Sequence, residues 1–98
     1  MKDKIREIVR LCFDVNEKFH ELNTGRYVTV TINYKLCILD INVVSNGEPT
    51  YYYVIFWDEE NDIVKIEKII KNLEMLAQDG DKWLLNGTWK KVKLDGED

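Results

Sequence analysis

Residues 26–57, RYVTVTINYKLCILDINVVSNGEPTYYYVIFW, decide the fold. Over 26–34 the side chains alternate. Val28, Val30 and Ile32 share one face, and Thr29, Thr31 and Asn33 the other, which is the two-residue period of a half-buried strand. In LCILDINVV, residues 36–44, Cys37, Leu39, Ile41 and Val43 lie opposite Leu36, Ile38, Asp40 and Asn42. A tight turn at Tyr34-Lys35 pairs Ile32 with Cys37, Val30 with Leu39 and Val28 with Ile41. All the strongly apolar members then land on one face. β-Branched residues dominate both runs, as a half-buried sheet favours.

Asn46-Gly47 follows, between two strand-like runs. It is a strong hairpin signal, because both central residues of the favoured turn need φ > 0. The third strand is TYYYVIFW, residues 50–57. A two-residue turn sends Tyr52, Val54 and Phe56 to the core and leaves Tyr51, Tyr53, Ile55 and Trp57 outside. One extra residue in the loop exchanges the two sets, and Pro49 allows it.

On the N-terminal side, residues 3–23 read as an amphipathic helix. Ile5, Ile8, Cys12, Val15, Phe19 and Leu22 recur at steps of three and four, with Asp3 as a cap and Asn23-Thr24-Gly25 as the stop. On the C-terminal side, residues 62–78 form a second helix with the stripe Ile63, Ile66, Ile69, Ile70, Leu73, Leu76 and Ala77. Asp79-Gly80-Asp81 ends it. KWLLNGTWKKVKL, with its own Asn-Gly, then predicts a hairpin with strands near 82–85 and 88–94. The expected fold class is α+β. It is a two-layer sandwich in which an antiparallel three-stranded meander is covered on one face by two helices (α-β-β-β-α), plus a C-terminal β-hairpin. Residues 1–98 make a single domain: an αβββα core over 1–78, the hairpin over 79–94 and a frayed tail over 95–98.

Of the 98 residues, 45% are hydrophobic and 33% charged, which excludes both a disordered chain and a membrane-embedded one. The net charge of −4 is unevenly spread. Residues 36–64 contain no Lys or Arg and six acids: Asp40, Glu48, Asp58, Glu59, Glu60 and Asp62. The N-terminal stretch lacks the apolar core of a secretory signal, and the two cysteines read as free thiols, so the expected location is the cytoplasm.

Catalytic groups are sparse. The single serine, Ser45, falls in a turn and the single histidine, His20, on the first helix. Cys12 and His20 are separated by about 12 Å of helical rise, too far for a nucleophile–base pair. One His and two widely spaced Cys do not give a zinc spacing. The oxygen-rich run 58–62 lacks the alternating ligands of a calcium loop, and the glycines form no phosphate loop. The expectation is a non-enzyme with no metal and no cofactor.

The acids 58–62 precede a helix and can serve its free N–H groups. Their number also suits an anionic prong. Asp58, Glu59, Glu60 and Asp62, beside Tyr51, Tyr53 and Trp57, are the expected partner-binding residues for a protein with a basic surface. The other parity of strand three would bury those aromatics. A homodimer through the sheet face or the third-strand edge would engage the same residues. The alternative is a nucleic-acid-binding accessory protein that grips single strands with Lys82, Trp83, Trp89, Lys90, Lys91 and Lys93.

The α-β-β-β-α order is similar to that of the double-stranded-RNA-binding domain. The second helix there opens with lysines, whereas these positions read Glu59, Glu60, Asn61 and Asp62, which argues against RNA binding by that mode. The same order, with small size and the acidic run, resembles phage-encoded anti-CRISPR proteins. That resemblance implies a bacterial host cell and blockade of a nuclease, with Asp58, Glu59, Glu60 and Asp62 as phosphate mimics. Toxin-immunity proteins are a further small acidic class that the residues resemble.

Overall fold

A computed structural model describes residues 2–58, 62–80 and 89–92. The elements are helix α1 (Lys2–Glu21), strands β1 (Arg26–Asn33), β2 (Ile38–Ser45) and β3 (Glu48–Phe56), helix α2 (Asp62–Asp79) and a short strand β4 (Lys90–Lys91). The strands form one antiparallel sheet in the order β1-β2-β3-β4. The fold is α+β, with the expected helix–strand order. Of the C-terminal hairpin, only β4 falls among the described residues; the reading of strand 82–85 and of the tail lies outside them.

The helical stripes pack as their spacing requires. Ile8, Val15 and Phe19 of α1 and Ile66, Ile69, Leu73 and Leu76 of α2 are wholly buried against Leu39, Ile41, Val43 and Ile55 of the sheet. Two stripe members are exceptions. Leu22 lies past the end of α1 and is half exposed, and Ile63 in the first turn of α2 is exposed. Leu11 and Asn72 are buried instead. Asn23 stops α1 in the left-handed region at φ 54°.

The β1–β2 connection is longer than the expected tight turn. It spans Tyr34–Cys37 and places Cys37 at φ 56°, outside the strand. The register consequently moves by two residues: Ile32 pairs with Leu39, Val30 with Ile41 and Val28 with Val43. A shift of two preserves the faces, so Val28, Leu39, Ile41 and Val43 stay in the core with new partners, whereas Cys37, expected on that face, leaves the strand and is only half-buried.

Strand three takes the second of its two parities. The Asn46-Gly47 turn does close in two residues, since Ser45 pairs with Glu48. A β-bulge then intervenes. Val44 faces Pro49 and Val43 faces Tyr51, leaving Thr50 as the extra residue. The Thr50 hydroxyl donates to the Val43 carbonyl at 3.0 Å. Beyond the bulge Tyr51, Tyr53 and Ile55 turn toward the helices.

The start of β1 is held from outside the sheet. Asn16 of α1 donates from Nδ2 to the Val28 carbonyl at 2.9 Å and accepts from the Val28 N–H at 2.5 Å. One side-chain amide thus supplies both bonds that a neighbouring strand would supply. Gly25, at φ 73°, brings its carbonyl to the Asn46 N–H at 2.9 Å; a Cβ there would meet Asn46 Oδ1 at 2.5 Å.

Candidate functional site

The helices lie on one face of the sheet, and the alternation of β1–β3 defines the other. That second face carries Tyr27, Thr29, Thr31 and Asn33 from β1, Ile38, Asp40, Asn42 and Val44 from β2, and Tyr52, Val54 and Phe56 from β3. Among the described residues no helix packs over it, but Val44 is buried and Ile38, Asp40, Asn42, Tyr52 and Val54 are half-buried. Its rows follow from the register. Asn33, Ile38 and Phe56 form one, Thr31, Asp40 and Val54 the next, and Thr29, Asn42 and Tyr52 the third, which Lys90 of β4 extends.

Asp40 is the carboxylate in the middle of this face. It makes no ion pair or hydrogen bond among the described residues and is flanked by Ile38, Tyr52, Val54 and Phe56. A groove of ≈ 190 Å³, lined by Tyr52, Tyr53, Val54, Phe56, Lys65 and Lys90, lies at the edge of β3 beside α2. A second groove, ≈ 340 Å³, lies between the end of α1 and the start of β1, with His20, Asn23, Arg26 and Tyr27 on its walls.

The residues singled out in the sequence separate into three groups. Asp58 is exposed just beyond β3, as a surface carboxylate should be. Glu59 and Glu60 lie outside the described residues. Asp62 is buried and turned inward: its Oδ2 accepts the Phe56 N–H at 2.6 Å and its Oδ1 lies 3.5 Å from Lys65 Nζ. It ties the end of β3 to the start of α2 and is not a surface prong.

The aromatics also turn inward, because of the bulge. Tyr53 is buried, and its hydroxyl donates to the Lys65 carbonyl at 3.1 Å. Tyr51 and Trp57 are partly buried against the core. The Trp57 ring packs edge-on against Tyr34 at 6.0 Å, and the Trp57 backbone N–H donates to the Cys37 carbonyl at 3.0 Å. The outward aromatics of β3 are therefore Tyr52 and Phe56. Once the parity is known, the sequence alternation identifies them and Asp40.

Trp89, a stacking residue in the nucleic-acid alternative, is only 5% exposed and meets Tyr53 edge-on at 6.1 Å. It is packed in the core, where it cannot stack on a base. Lys90 and Lys91 are exposed; Lys82, Trp83 and Lys93 lie outside the described residues. Among the described residues, no group of three or more His, Cys, Asp or Glu could hold a metal ion, and no helix is long and apolar enough to cross a membrane.

Burial sets the behaviour of two neutral acids. Desolvation raises the Cys12 thiol from 9.0 to about 12. Desolvation, with Asp62 adding to it, raises the Tyr53 phenol from 10.0 to about 12. In the unfolded chain both ionise earlier, so above pH 9 the unfolded state binds fewer protons and stability falls as pH rises. The contribution is intact below pH 9 and is lost progressively toward about pH 12. Urea midpoints measured across this window should decline, and Tyr53→Phe should decline less steeply from a lower neutral-pH starting value. An equal slope in that variant would remove Tyr53 from the account.

No family model matches the chain, and neither does any curated protein or solved structure.

Proposed function

We propose that this protein is a non-enzymatic binding module that obstructs a basic, nucleic-acid-handling protein, and that the sheet face opposite the helices is its contact surface. The observation that carries the reading is Asp40. It is a carboxylate without a cation partner among the described residues, set in a surface of Ile38, Tyr52, Val54 and Phe56. Aromatic and aliphatic anchors around one charge suit the arginine or lysine of a partner, because the apolar surround excludes water and strengthens the pairing. Asp58 lies exposed beyond the Ile38–Phe56 row, and residues 36–64 contain no base to repel a cationic partner. Anti-CRISPR-like and toxin-immunity roles both fall within this class and share its chemistry. The burial of Trp89 favours it over single-strand nucleic-acid binding.

The test compares immobilised parent protein with Asp40→Arg and Asp58→Lys in bacterial extract at low salt, after nuclease treatment. Basic proteins retained by the parent should elute with rising salt, and Asp40→Arg should lose them by about tenfold or more. Identical retention by the parent and both variants would end this reading. Retention that vanishes on nuclease treatment would replace it with nucleic-acid binding.

A further inference from the structure

The Asn16 clamp on Val28 fixes which way β1 points its backbone groups. Residues along a strand alternate in hydrogen-bonding direction, so Val30 and Ile32 present their N–H and C=O the same way as Val28, away from β2. Val28 is served by Asn16. Val30 and Ile32 have no such partner among the described residues, so β1 ends the sheet with open bonding positions. Edge strands are usually protected by charge, proline, a bulge or a covering element. Residues 27–34 contain no charge, no proline and no glycine, and the β1–β2 register runs without a bulge.

We infer that this edge pairs with the same edge of a second copy, antiparallel about a two-fold axis through Thr31. In that register Val30 meets the second copy's Ile32 and Ile32 its Val30, which forms four backbone hydrogen bonds. The next bonding position would set Val28 against Tyr34 of the second copy. Val28 is already occupied by Asn16, and Tyr34 has already left the strand. The register centred on Thr31 thus uses every open group of both edges and ends where both edges end. A strand from an unrelated protein would have no reason to match those limits.

The flank of the edge is also self-complementary. Val9, Phe13 and Asn16 follow one another on α1 at steps of four and three, so the two apolar residues share the side that reaches β1. Phe13 is 65% exposed and Val9 38%. Arg6 and Glu17, both exposed and opposite in sign, bracket this stripe. A two-fold axis reverses the helix, so Arg6 is carried toward the second copy's Glu17 while Phe13 and Val9 are covered. The paired sheet is continuous, and the pairing leaves Asp40 and its neighbours on β2 and β3 uncovered by the second copy. The inference does not depend on the proposed function.

The experiment is sedimentation over a wide concentration range, combined with amide exchange. The parent should double in mass as concentration rises, and the Val30 and Ile32 amides should gain protection with it. Thr31 is exposed, so Thr31→Lys and Thr31→Glu should each fold, yet each sets like charges directly opposite across the axis. Each should weaken association about tenfold or more. An equimolar mixture of the two variants should restore it, because only self-pairing about residue 31 brings Lys against Glu. A parent that stays monomeric with unprotected Val30 and Ile32 amides would overturn the inference. So would a dimer indifferent to Thr31→Lys, or variants that fail to recover on mixing.

Discussion

Deleting Thr50 is expected to abolish the native fold or to lower its melting temperature by more than about 20 °C, while Thr50→Ala costs about 1 kcal/mol. The two changes separate a residue from its side chain. Alanine removes the hydroxyl that donates to the Val43 carbonyl but keeps the count of residues in the bulge. The deletion changes the count. With Asn46-Gly47 still closing the turn, Tyr53 and Ile55 would rotate out of the core, and Tyr52, Val54 and Phe56 would rotate in. Ile55 is wholly buried and Tyr53 nearly so. Re-exposing them loses roughly 1.5–3 kcal/mol each, before the misfit of the incoming side chains is counted. That is a large part of a small domain's total stability. Thermal and urea unfolding of both variants, with near-ultraviolet circular dichroism to report tyrosine packing, decides the matter. A cooperative deletion variant within a few degrees of the parent would show that the bulge does not set the parity.

Asn16→Ala should destabilise by about 2–4 kcal/mol, lowering the melting temperature by roughly 10–25 °C. The asparagine serves an N–H and a C=O of one buried residue, so its loss strands both groups of Val28 at once. Asn16→Asp is the informative companion. Its carboxylate can still accept from the Val28 N–H but sets an anion against the Val28 carbonyl in place of a donor. The aspartate should therefore be no better than the alanine at neutral pH, and should recover on acidification, when a protonated oxygen can donate again. Asn16→Gln offers the same groups on a longer stem and should lie between. An alanine variant within about 0.5 kcal/mol of the parent would mean that solvent reaches Val28 without cost.

The elements were legible in the sequence because periodicity reports burial. The stripes of α1 and α2 and the alternation of β1 and β2 each depend on many residues, and one exception such as Leu22 or Ile63 does not erase them. The candidate site was legible only in part, because single-residue events decide it. One unpaired residue, Thr50, exchanged Tyr51 and Tyr53 for Tyr52 and Phe56 on the outer face. Cys37 in the left-handed region lengthened a turn that composition marks only weakly. Asp62 had two uses open to it, and the geometry at the end of β3 assigned it to the Phe56 N–H. The Asn16 clamp has no periodic signature at all. Its one trace in the sequence is an amide beside the apolar stripe, between Val15 and Phe19.

Cys12 and Cys37 have opposite situations, and they give the molecule two clocks. Cys37, half-buried in the β1–β2 turn, meets an alkylating reagent whenever that turn breathes. Cys12 is sealed beneath the helical layer, and burial keeps its sulfur protonated, so it answers only when the layer lifts from the sheet. Tagging the two sulfurs side by side would time local fluctuation against global opening in one sample, with no label added to the design.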